Sequence, residues 1–250
     1  MPSFQNGSVQ IAYLDEGEGE PIVLVHGFAS NKEVNWVTPG WFTTLKAAGR
    51  RVIALDNRGH GQSDKLYDPT EYHTTKMAGD VRALIAHLGL SRADVMGYSM
   101  GARIAAFLAH EHPEVTRSIV LGGIGMHLIE GVGLPTSIAD ALEAPSLADV
   151  IDPQGRLFRA FAEQTKSDRR ALAACIRGSR QVLTREQAAS IRVPALVAVG
   201  TRDTVAGSPE VLAAIMPQAR ALPIPNRDHM LATGDKVFKA GVLEFLQENA

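Results

Sequence analysis

Short apolar runs recur along the chain, each closed by Gly or Asp: "PIVLVHG" (21–27), "RRVIALD" (50–56), "ADVMG" (93–97), "RSIVLGG" (117–123) and "PALVAVG" (194–200). They are rich in Val, Ile and Leu and alternate little, the pattern of strands buried on both faces of a parallel sheet. Helical patterns fall between them. In "HTTKMAGDVRALIAHLG", Met77, Val81, Leu84, Ile85 and Leu88 share one face at helical spacing. "SPEVLAAIMP" predicts a helix capped by Ser208 and stopped at Pro217, and "GDKVFKAGVLEFLQEN" an amphipathic helix at the end of the chain. The opening "SVQIAYLDEGEGEPIVLV" reads as two strands joined by the turn-forming "EGEGEP", so an antiparallel edge should start the sheet.

From Met126 to Arg192 no strand pattern appears; short helices broken by Pro135, Pro145 and Pro153 are expected instead. The alternation of strands and helices predicts an α/β fold, a mostly parallel twisted sheet with helices on both faces. Residues 1–125 and 193–250 form its core, and 126–192 form an inserted helical cap over one end of the sheet.

Composition narrows the function. The 250 residues are 45% hydrophobic and 21% charged, enough for a core without staples, and the formal net charge of −2 gives no basic excess for nucleic acid. Cys175 is the only cysteine, so no internal disulfide forms. The N-terminus lacks a basic start with an apolar stretch, and no run approaches the roughly 20 apolar residues of a membrane helix. The expectation is a soluble, cytoplasmic protein without membrane or nucleic-acid partners; the oligomeric state stays open.

The chemistry gathers at "DVMGYSMGARIAAFLAH" (94–110), where a buried strand must turn at once into a helix. Gly97 and Gly101 flank Ser99 by two residues on either side. A tight strand-to-helix turn holds its central residue in an unfavourable backbone conformation and leaves no room for side chains at those flanks. It lifts the serine hydroxyl above the carboxyl ends of the strands, where open α/β sheets bind ligands. G-x-S-x-G alone arises by chance in about one chain of this length in ten; its place between strand and helix makes it informative.

A serine hydroxyl needs a base to become a nucleophile. Asp203 lies just past a buried strand in "VAVGTRD", and after it the chain holds a single histidine, His229, in "PNRDHM". The order Ser, Asp, His predicts a triad of Ser99, Asp203 and His229. An oxyanion hole is expected from the backbone N–H groups of Met100, just after the serine, and Phe28, in the turn that Gly27 permits. His26, at a strand end ahead of the triad, reads as structural. The predicted pocket wall is Phe28, Trp36, Met100, Met126, Leu128 and Met230, an apolar inventory that favours a neutral ester.

Together, "HGF" (26–28), "LDNRGHGQSD" (55–64), "GYSMG" (97–101), Asp203 in "GTRD" and His229 in "DHM" resemble the α/β-hydrolase superfamily over nearly the whole chain. Ser99 at the elbow argues against the relatives that use Asp there, such as haloalkane dehalogenases and epoxide hydrolases. The resemblance implies a carboxylesterase-like serine hydrolase working through an acyl-enzyme on a small to medium neutral ester. It also implies that the "RGHGQSD" loop, with Arg58, His60, Ser63 and Asp64, braces the sheet. No HExxH, P-loop or complete GxGxxG occurs, and His110 and His112 do not share a helix face, so neither cofactor nor metal is expected. Two alternatives remain. "GYSMGAR" is similar to the elbow of the menaquinone-pathway lyase that makes a succinyl-cyclohexadiene carboxylate, in which arginines hold carboxylates. Arg103 would serve that role, with support from Arg156, Arg159 and Arg177, unless it packs or pairs at the surface. A slow, ligand-sensing member of the fold is the other.

Overall fold

The computed structural model describes residues 2–131 and 133–249. Among them, eight strands form one sheet: β1 (Ser3–Asn6), β2 (Val9–Glu16), β3 (Glu20–Val25), β4 (Arg50–Leu55), β5 (Ala93–Tyr98), β6 (Thr116–Gly122), β7 (Ala195–Gly200) and β8 (Ala219–Ile224). Their order is β1-β2-β4-β3-β5-β6-β7-β8. β1 and β2 pair antiparallel, as do β2 and β4; every later pairing is parallel. The fully buried central strands are the apolar runs of the sequence: Ile22 to Val25 and Val52 to Leu55 have no exposed surface.

The antiparallel edge differs from the sequence reading in its partners. "EGEGEP" does join β2 to β3, but the two are not hydrogen-bonded neighbours. Val52–Leu55 of β4 lies between them, and the hairpin is instead β1–β2, closed around Gly7 at a φ of 61°. β1 and β8 are additions that the pattern did not reveal. β1 is four residues long, and β8 ("ARALPI") is a half-exposed edge strand in which Pro223 removes a donor.

Ten α-helices accompany the strands among the described residues. Those of the core are α1 (Trp41–Ala47), α2 (Thr74–His87), α3 (Met100–Glu111), α9 (Pro209–Ile215) and α10 (Lys236–Glu248). Ser208 caps α9 by accepting the Val211 N–H. Between β6 and β7 run α4 (His127–Glu130), α5 (Ser137–Glu143), α6 (Pro153–Gln164), α7 (Arg169–Gly178) and α8 (Arg185–Ser190). Pro153 starts α6 rather than breaking a helix: it occupies the first turn, where its missing N–H costs nothing, behind Asp152, which accepts the Gly155 N–H. Two apolar layers cover the sheet. One joins α2 and α3 to the 126–192 segment; the other joins α1 and α10 around Trp36, Trp41 and Phe238. No helix is long and apolar enough to cross a membrane among the described residues.

Candidate active site

Ser99 sits between β5 and α3 with φ 54° and ψ −113°, a conformation that L-residues rarely adopt. Two close approaches hold it there. A Cβ on Gly97 would lie 2.1 Å from the Gly101 carbonyl oxygen, and one on Gly101 would lie 1.9 Å from that of Val25. The glycines let α3 start directly against β3 and β5, so the elbow cannot relax into an ordinary turn.

His229, on the loop after β8, brings Nε2 to 3.0 Å from Ser99 Oγ. Its Nδ1 lies 2.7 Å from Asp203 Oδ2. The Asp203 side chain is fully buried, and its Oδ1 accepts the Val205 and Ala206 N–H groups, which fixes the carboxylate. With Nδ1 bonded to a carboxylate, Nε2 is left as the acceptor facing the serine. Asp228, adjacent to His229 in sequence, turns away to accept the Met230 and Leu231 N–H groups. Tyr98, inside the elbow motif, donates its hydroxyl to the His229 carbonyl oxygen at 2.6 Å and so ties the histidine loop to the elbow. Sequence reasoning passed over it, although an aromatic beside the serine was the available signal.

Among the described residues, no protein acceptor takes the backbone N–H of Phe28 or of Met100. The Phe28 turn is braced from behind. His26 is wholly buried; its Nδ1 donates to Gly27 O and its Nε2 accepts the Asn57 N–H. His60 donates from Nδ1 to Arg58 O and accepts the Ala29 N–H at Nε2. Burial, then the neighbouring His26, pushes His60 down to about 3, and burial also lowers His26. Both rings work as neutral acceptors. The rest of the "RGHGQSD" loop is tied down as well: Arg58 grips Asp80 with two nitrogens, and Ser63 donates to Asp56 O. Asn35 adds a brace that the sequence did not signal, its Oδ1 accepting the Gly27 N–H. No group of three or more His, Cys, Asp or Glu side chains is arranged to hold a metal among the described residues.

Two chambers meet at Ser99. The first and smaller one is lined by Met100, Arg103, His127, Leu134, Ile176 and Arg180. The second and larger one is lined by Val34, Asn35, Phe158, Phe161, His229 and Met230. Phe28, Ser99 and Leu134 border both. Three expected wall residues are elsewhere. Trp36 is fully buried against Trp41, because the π-helical turn Glu33–Val37 turns Val34 and Asn35 to the chamber and Trp36 into the core. Met126 and Leu128 pack into the apolar layer beneath the 126–192 segment, and the neighbouring His127 takes the wall position. The first chamber is also less apolar than expected. Arg103, weighed as a packing or surface-paired side chain, is buried and lines it; Arg180, not singled out from sequence, joins it. Arg156, Arg159 and Arg177 lie outside both chambers, bonded to carbonyls or acids of the 126–192 segment.

A family model described as the alpha/beta hydrolase fold matches residues 20–154. The chain belongs to the alpha/beta hydrolase family. Among curated relatives, it is 33% identical to the AB hydrolase superfamily protein YisY of Bacillus subtilis over 62% of this chain and 53% of that protein. It is also 33% identical to a putative 2-succinyl-6-hydroxy-2,4-cyclohexadiene-1-carboxylate synthase of the same organism, over 45% of this chain and 40% of that protein. The matches thus span about half the length of these relatives. Among solved structures, a hydrolase from Pseudomonas aeruginosa superposes with a TM-score of 0.80 at 25% identity, covering 98% of this chain and 97% of that one. This alpha/beta hydrolase therefore shares its fold with that structure over nearly the whole chain.

Proposed function

We propose that the chain is a serine hydrolase that cleaves a carboxylic ester with a small to medium acyl group through an acyl-enzyme intermediate. The observation that carries this reading is the continuous line from Asp203 through His229 to Ser99, with bonds of 2.7 and 3.0 Å, at a serine in a strained elbow. Ser99 Oγ attacks the ester carbonyl carbon and passes its proton to His229 Nε2. The carbonyl oxygen becomes an oxyanion held by the Phe28 and Met100 N–H groups. Collapse expels the alcohol, which takes the proton from His229. Water then attacks the acyl carbon, its proton returns through His229, and the acid leaves. Asp203 holds the imidazole in its tautomer and offsets its transient charge. The second chamber, walled by Val34, Phe158, Phe161 and Met230, suits a neutral, apolar leaving group.

A second reading has an observation in its favour. Arg103 borders the serine's chamber, and one relative is a putative cyclohexadiene-carboxylate synthase, so a carboxylate-eliminating lyase is the competitor. The test is Ser99→Ala assayed on aryl esters, with labelling of the wild type by a serine-directed phosphonate. The ester reading expects labelling at Ser99 and loss of turnover, leaving at most about 10³-fold acceleration over water from the remaining donors. Near-normal ester turnover by Ser99→Ala, or elimination activity in a protein inert to every ester, rejects it.

A further inference from the structure

Arg103 differs from the other buried arginines of the molecule. Arg50 pairs with Asp94, Arg58 with Asp80 and Arg159 with Glu163. Arg103 is 4% exposed, as buried as they are, yet among the described residues no acid lies within ion-pair distance of it. Its two Nη atoms donate to the carbonyl oxygens of Gln181 and His127. Those bonds hold the guanidinium plane but bring no negative charge, and three N–H donors of the fork remain. Half-buried Arg180 lines the same chamber and donates to Leu134 O, again with no acid beside it among the described residues. Burial, and then the Arg180 charge, lowers Arg103 to about 10, the direction expected for a buried cation with a second cation near it and no counter-ion. A desolvated, uncompensated charge is costly to the fold, and a bound anion would remove that cost.

The position of His229 fixes which end of an ester would meet these cations. His229 must hand its proton to the departing alcohol, so the alcohol lies on the side of the second chamber, which His229 lines. The acyl chain is left with the first chamber, and Arg103 is one helical turn from Ser99 at its wall. We propose that Arg103 and Arg180 bind a carboxylate at the far end of the acyl chain, so that the substrate is a half-ester of a short dicarboxylic acid with an apolar leaving group. This rests on the ester-hydrolase reading above and replaces a neutral acyl group with an anionic one. A bidentate guanidinium–carboxylate contact is strong and directional, and the acyl-enzyme would keep it through both halves of the reaction.

The experiment compares phenyl hydrogen glutarate, phenyl valerate and 4-carboxyphenyl valerate as substrates, with kcat/KM read from phenol release. The wild type should favour phenyl hydrogen glutarate over each of the other two by tenfold or more. Arg180→Ala, at a half-buried position, should lower that preference at least tenfold; Arg103→Lys, which keeps the charge but loses the fork, should lower it as well. Binding is read separately. Phenyl hydrogen glutarate should raise the melting temperature of Ser99→Ala, and adding Arg180→Ala should abolish the rise. A wild type that prefers phenyl valerate or 4-carboxyphenyl valerate, or a preference that survives Arg180→Ala, overturns the carboxylate site. If the wild type hydrolyses none of the esters while the Arg180-dependent thermal shift persists, the ester reading falls and the carboxylate site stands.

Discussion

The reacting groups are set by individual contacts that make separable predictions. Asp203 and Asp228 both lie close to His229 in the chain or in space, but only Asp203 faces its ring. Asp203→Asn should lower kcat by up to about 10⁴-fold, because an amide no longer selects the productive tautomer. Asp228→Asn should be mild, since an Asn oxygen can still accept from the Met230 and Leu231 N–H groups; steady-state kinetics on one aryl ester ranks the two, and the reverse ranking would reassign the orienting acid. Gly101→Ala places a methyl 1.9 Å from a backbone oxygen of the neighbouring strand. It should cost about 3 kcal/mol or more, read by denaturant unfolding, because no flexible side chain is there to yield. These residues were legible in the sequence for a physical reason: a Gly-x-Ser-x-Gly turn, one acid after a strand and one remaining histidine each answer to a single geometric demand. The chamber walls were not. Within "EVNWV" a π-helical turn sends Asn35 to the chamber and Trp36 to the core, and residue type gives no sign of which way it winds.

At the level of elements, the loop after β3 carries the Phe28 donor, and two neutral histidines support it from beneath. Both are lowered by burial, His60 to about 3. A lowered histidine stabilises the fold fully above its unfolded value near ~6.5, and that contribution is lost as pH falls toward the folded value. Stability should therefore decline below pH ~6.5 by up to about 1.4 kcal/mol per pH unit for each histidine that gains a proton only on unfolding. His60→Asn should flatten the slope measured by urea melts between pH 6 and 4; an unchanged slope would mean that this ring is not what acid attacks. The central strands could be read from the sequence because burial on both faces leaves unbroken apolar runs, and α2, α9 and α10 from helical spacing and end signals, whereas the 12-residue α6 lay in a stretch expected to hold only short helices. The pairing of β2 could not. "EGEGEP" looks like a hairpin turn, and only the sheet reveals that β4 lies between β2 and β3.

Across the whole molecule, residues from distant parts of the chain converge on Ser99: Phe28 after β3, Phe158 and Phe161 on α6, Ile176 and Arg180 at or beyond the end of α7, and His229 after β8. Phe158 packs on Phe28 with ring centroids 5.6 Å apart, so the 126–192 segment contributes an apolar wall beside the turn that offers the Phe28 N–H. Phe158→Ala should raise KM for aryl esters roughly tenfold, about 1.4 kcal/mol of lost apolar contact, with a smaller change in kcat. A drop in kcat at constant KM would instead assign Phe158 to holding the turn. The sequence marked 126–192 as helical without showing which of its side chains reach the serine, because those contacts join residues far apart in the chain. In the proposed mechanism Ser99 carries the acyl group. The most direct measurement is rapid mixing of wild-type protein with excess aryl ester, acid quench and mass analysis of the intact chain and its peptides. A mass increase equal to the acyl group is expected, confined to the peptide containing Ser99, forming faster than steady-state turnover and absent in Ser99→Ala. Ester turnover with the acyl group on another residue, or undiminished turnover in Ser99→Ala, would contradict it.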